Sequence, residues 1–223
     1  MRDETHKLLS SHSYSLYEVE TMSKKMTAVV TPKKTAIATP NHLAKISMTL
    51  AGKRPGMLMD TAANIDFGST GRKKDVREPR VRAEERLYIG ANGHAGKIVL
   101  PVNNLVACFV EGGRLVKEGK RAVAGLLAGA MDFDTDEFLL IHNSWEVFES
   151  TPTNSTGSRS QKYMPIFNEW RVDINVELDC EIVGVDKFRA TVDFAGKLVG
   201  LGPMRPQRRR MHGRFLVTKW EVD

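Results

Sequence analysis

Trp170-Arg171-Val172-Asp173-Ile174-Asn175-Val176-Glu177-Leu178-Asp179 is the stretch that decides the fold. Apolar and polar residues alternate through all of it, which is the period of a strand with one buried and one wet face. Gly184 separates this strand from a helical pattern in which Phe188, Val192, Ala195 and Val199 share one face, with Asp186 as the predicted cap. Gly200 and Gly202 supply the backbone freedom with which such a helix ends. A basic loop follows, and Phe215 to Val222 reads as a final strand.

Upstream, Ala44, Ile46, Met48 and Leu50 alternate with Lys45, Ser47 and Thr49, a second half-buried strand stopped by Gly52. From Asp60 to Arg86 the chain turns polar. Arg72, Lys73, Lys74, Arg77, Arg80, Arg82 and Arg86 mingle there with Asp75, Glu78, Glu84 and Glu85, predicting a long excursion with a helical turn or two near its end. Lys97 to Leu100 reads as a short strand, and Pro101 is predicted in the first turn of a helix, where its missing N–H is not needed. Val102, Leu105, Val106, Phe109 and Val110 then fall at i, i+3, i+4, i+7 and i+8, one apolar face closed near Gly112-Gly113. A helical patch from Ala122 to Ala130 and an edge strand from Phe138 to Ile141 come next, and residues 150–162, rich in Ser, Thr and Gly, predict a loop.

Strand, helix, strand, strand, helix, strand is the β-α-β-β-α-β plan of an α+β, ferredoxin-like (RRM-like) domain. It is predicted over residues 41–223, with insertions near 60–96 and 150–169. Residues 1–40, rich in Ser, Thr and Lys and containing Pro32 and Pro40, read as a flexible N-terminal arm.

Hydrophobic residues make up 41% of the 223, enough for a real core, which excludes disorder throughout. No window approaches the roughly 18 apolar residues of a membrane span, and the charged start is not a secretory signal. A cytoplasmic protein is expected, in which Cys108 and Cys180, far apart, are buried reduced thiols rather than a disulfide or a zinc site. Of the formal charge of +6, five units sit on Arg205, Arg208, Arg209, Arg210 and Arg214 with no acid among them, leaving +1 for the rest. Arginines bring charge and forked donors suited to phosphate, and flanking glycines admit close backbone approach. The loop therefore predicts a nucleic-acid contact.

Catalytic signals are weak. His212 and His142 lack an evident partner base, and Asp132, Asp134, Asp136 and Glu137 lack the glycine and distal glutamate of a calcium loop. No Walker loop, GxSxG or dinucleotide fingerprint occurs. Neither an enzyme activity nor a cofactor or metal is expected. The Lys/Arg-Gly-Phe/Tyr-Gly/Ala-Phe signature of RNA-recognition domains is also missing, which disfavours stacking of bases on the sheet.

Gly200-Leu201-Gly202-Pro203-Met204-Arg205-Pro206, running through His212 to Gly213-Arg214-Phe215, resembles the glycine-rich loop of the RAMP superfamily of CRISPR proteins, above all their backbone subunits. Lys53-Arg54-Pro55-Gly56-Met57-Leu58-Met59 resembles the segment that opens such domains, and Ile98-Val99-Leu100-Pro101 the strand–Pro–helix step after a thumb-like insertion. The resemblance spans residues 44–223; the Gly-x-Gly…Arg-Pro…Gly-Arg-Phe ending is similar to that of uncharacterised phage proteins as well. It implies a subunit that grips guide RNA, or another single strand, through the phosphates without sequence preference. Further copies of itself and other effector-complex subunits would be its partners. The contacts it implies are Gly202, Arg205, Arg208, Arg209, Arg210, His212 and Arg214, with Lys53 and Arg54, and with Arg72, Lys73 and Lys74 as a thumb. Two alternatives are a phage structural or assembly protein touching nucleic acid and a RAMP-type endoribonuclease.

Overall fold

The computed structural model describes residues 42–61, 77–91, 93–151 and 161–223. The arm predicted over residues 1–40 and the trio Arg72, Lys73 and Lys74 lie outside the described residues. In chain order the elements are β1 (Leu43–Gly52), β2 (Met57–Leu58), α1 (Pro79–Glu84), β3 (Val99–Pro101), α2 (Val102–Gly113), β4 (Lys117–Glu118), β5 (Arg121–Ala122) and α3 (Ala124–Ala130). There follow β6 (Met131–Asp132), β7 (Glu137–Leu139), β8 (Ile141–His142), β9 (Glu146–Ser150), β10 (Lys162–Phe167), β11 (Trp170–Asp179), α4 (Val185–Phe194) and β12 (Phe215–Val222). The chain is thus mixed α+β, with antiparallel sheets and four α-helices among the described residues. None of those helices is long and apolar enough to cross a membrane.

The largest sheet runs β12-β1-β11-β6, with β8 also paired to β11. Its centre is the pair of alternating strands read from the sequence: Ile46 faces Val176, Met48 faces Ile174 and Leu50 faces Val172. All six are buried, and they share one core with Leu105 and Phe109 of α2 and with Phe188 and Val192 of α4. Phe109 and Phe188 meet edge to face at 6.0 Å, locking the two helices together over the sheet. The aromatics of β11 and β12 turn the same way. Trp170 packs on Phe215 and Trp220 on Phe188.

The opposite face of that sheet is polar. Ser47 Oγ donates to Asn175 Oδ1 at 2.9 Å and Thr49 Oγ1 to Asp173 Oδ1 at 2.6 Å, cross-strand pairs that tie β1 to β11. With the aromatics on the core side, this face offers no stacking platform for bases among the described residues.

Several details differ from the sequence reading. Pro101 is the residue before α2 rather than part of its first turn, since its φ of −61° and ψ of 138° also suit the end of β3. The cap of α4 is Gly184, and Asp186 sits in the first turn, where its charge complements the helix dipole. After Phe194 the helix widens into a π-helical turn, Ala195–Val199, closed by the Gly200 amide donating to the Ala195 carbonyl at 2.8 Å. Cys180 is half-buried; Cys108 is the buried thiol. Within the segment read as an insertion near 150–169, Lys162–Phe167 is a strand of a second sheet, β2-β10-β9. Its last four residues are all buried, so no alternation marks it in the sequence.

Candidate nucleic-acid interface

The second sheet is what holds the basic loop in place. Pairing of Met57–Leu58 with Ile166–Phe167 puts the chain just after β1 underneath the loop between α4 and β12. The loop is stitched down by its own backbone. The Leu201 amide donates to the Gly213 carbonyl at 2.8 Å, the Gly213 amide to the Gly56 carbonyl at 2.7 Å, and the Lys53 amide to the Arg214 carbonyl at 2.8 Å. Gly202 and Gly213 have φ of 83° and 74°, and a Cβ on either would collide with the carbonyl oxygen of Leu58 or Leu201. Close packing within the protein is sufficient cause for these two glycines.

Inside this frame a short 3-10 turn, Pro206–Arg208, lifts the arginines outward, and Arg209 follows in the left-handed region at φ 58°. Arg208, Arg209 and Arg210 are exposed, and none of their guanidinium groups has a partner among the described residues. Arg205 is tethered instead: its Nε donates to Gln207 Oε1 at 2.9 Å, and Gln207 Nε2 donates to Glu111 Oε2 at 2.7 Å, fixing the turn to α2. Arg214 is half-buried. Its Nη2 donates to the Arg54 carbonyl at 3.4 Å, while its Nε is buried without a partner. The exposed Lys53 and Arg54 therefore adjoin the loop, and the structure brings them together with Gly202, Arg205, Arg208, Arg209, Arg210, His212 and Arg214.

His212 contributes differently from the arginines. Its ring lies 5.4 Å from that of Phe148, and burial pushes its pKa below the ordinary 6.5. Burial thus favours its neutral form, which offers hydrogen bonding rather than charge. His142, packed on Phe167, is lowered by burial in the same way. Burial pushes the Cys108 thiol up to about 12, against the opposing pull of Arg205, so it is an inert packing group.

Beneath the loop lies a cavity of about 250 Å³, lined by Met57, Leu58, Met59, Leu100 and Leu201 and also by Arg205 and Arg208. Three of its lining residues, Asp60, Tyr88 and Asn104, escaped the sequence reading. Asp60 is the anchor of the region, since Arg86 Nη1 and Lys162 Nζ both donate to its carboxylate. The one sequence signal for Asn104 is its place beside, rather than on, the apolar stripe of α2.

The chain matches no protein-family model and no curated protein. It is similar in fold to a chain of the cryo-EM structure of the Type III-B Cmr-beta bound to cognate target RNA, with a TM-score of 0.52 and 10% sequence identity. The match covers 81% of this chain and 61% of that one, so this chain spans under two thirds of its length. At that identity the likeness is one of fold.

Proposed function

We propose that this chain is an RNA-binding backbone subunit of a CRISPR-like ribonucleoprotein complex, built on a RAMP-type, ferredoxin-like domain. The observation that carries the reading is the row Arg208, Arg209 and Arg210: three exposed guanidinium groups, unpaired among the described residues, on a loop whose backbone is fixed at both ends. Fixed, unpaired cations meet a phosphate chain without first giving up internal partners, and they read no base. Two further observations agree. The order β12-β1-β11-β6, with α2 and α4 sharing the core, supports the β-α-β-β-α-β reading. The fold is similar to that of a chain in an assembly bound to target RNA.

In this reading the loop binds and does not cut. His212 lies against Phe148, and no carboxylate pairs with it among the described residues. One loop grips only a few phosphates, so a tight complex needs several copies on one strand, each later contact being effectively intramolecular. Native mass measurements on single-stranded RNAs of graded length test this: bound copies should rise stepwise with length, and RNA should co-purify with the protein. One copy at every length would rule out the row of subunits, and an absence of binding would rule out the RNA ligand.

A further inference from the structure

We propose that the cavity under the basic loop takes one nucleobase of the strand whose phosphates the loop holds. The inference rests on the nucleic-acid reading above and adds a base-binding subsite to it. Arg205 and Arg208 both line the cavity, so a strand held by the arginines of the loop lies next to it. At about 250 Å³ it falls below the roughly 300–1,000 Å³ typical of whole-ligand pockets, a size that suits a flat fragment.

The lining selects among fragments. Met57, Met59 and Leu201 form the apolar part of its lining. Asn104 is half-buried on α2, and its amide has no hydrogen-bond partner among the described residues, so both its donor and its acceptor are available. An alkyl chain would leave that amide unsatisfied, and a phosphate would lie beside the Asp60 carboxylate. Asp60 gives one oxygen to Arg86 and the other to Lys162, and each oxygen keeps acceptor capacity for an exocyclic amine. A carboxamide pairing with adenine and a carboxylate accepting from an amino group are established base contacts, so a base carrying an exocyclic amine fits best.

Binding of the full chain to an oligoadenylate and to a ribose-phosphate strand of the same length without bases, at one salt concentration, tests the subsite. The oligoadenylate should bind roughly tenfold more tightly, the size of one base contact. Ala107 lies exposed on the rim, so Ala107→Phe should cover the mouth while leaving the unfolding temperature near that of the parent. With Ala107→Phe, and again with Asn104→Ala, the two strands should bind alike. Equal, salt-sensitive binding of both strands by the parent protein would overturn the subsite and leave the phosphate contact standing. Retained discrimination in both variants would overturn it too, and failure of both strands to bind would overturn both readings.

Discussion

Two segments of this chain are rich in arginine and hold their arginines in opposite ways. Between Arg77 and Arg86, every arginine is committed inside the protein. Arg77 pairs with Glu85, Arg80 lies 3.3 Å from the Trp145 ring centroid and pairs with Glu84, Arg82 covers Tyr163 at 4.8 Å and donates to the Gln161 carbonyl, and Arg86 holds Asp60. Between Arg205 and Arg214 only the two end arginines are engaged, and the middle three are free among the described residues. The difference follows from the acids. Glu84 and Glu85 sit within reach on the first segment, while the second has none and stands on a raised turn. Charge density alone does not distinguish the two segments; the lack of partners among the described residues, on a fixed backbone, does.

The comparison can be broken from either side. Asp60→Ala should give the largest effect on stability, because it strips Arg86 and Lys162 of a carboxylate that is only 17% exposed. Losing charge-assisted bonds of this kind costs about 2 kcal/mol, seen as a lower midpoint in denaturant unfolding. An unchanged midpoint would mean that the first segment is held by its aromatic contacts instead. Arg80→Ala sharpens that alternative. It removes the stack on Trp145 and an exposed pair with Glu84, and should cost about 0.5–1 kcal/mol by the same measurement. A loss of RNA affinity in Arg80→Ala without a loss of stability would move this segment from support to ligand contact.

What the sequence disclosed follows the range of the interactions. β1 and β11 were legible because alternation is a local signal, and so were the apolar faces of α2 and α4. The basic loop was legible for the same reason, its charges being neighbours in the chain. The floor beneath it was not. Met57–Leu58 and Ile166–Phe167 are too short and too buried to show a period, and their pairing joins residues more than a hundred positions apart. Asn104, Tyr88 and Asp60 become a group only through that pairing and the packing of α2. The glycines were read as room for phosphate, whereas Gly202 and Gly213 already meet backbone carbonyls of the protein itself.

The claim that unpaired arginines, and not arginines in general, hold the strand is tested most directly by the salt dependence of binding to one single-stranded RNA. Two triple variants are compared with the parent: Arg208→Ala, Arg209→Ala, Arg210→Ala in the loop, and Arg77→Ala, Arg80→Ala, Arg82→Ala around α1. Each phosphate contact on a single strand contributes a slope of about 0.7 in log K against log salt, so the loop variant should lose about 2 from the slope. The α1 variant should keep the parent slope while unfolding at lower denaturant. An unchanged slope in the loop variant, or an equal loss in both, would contradict the account.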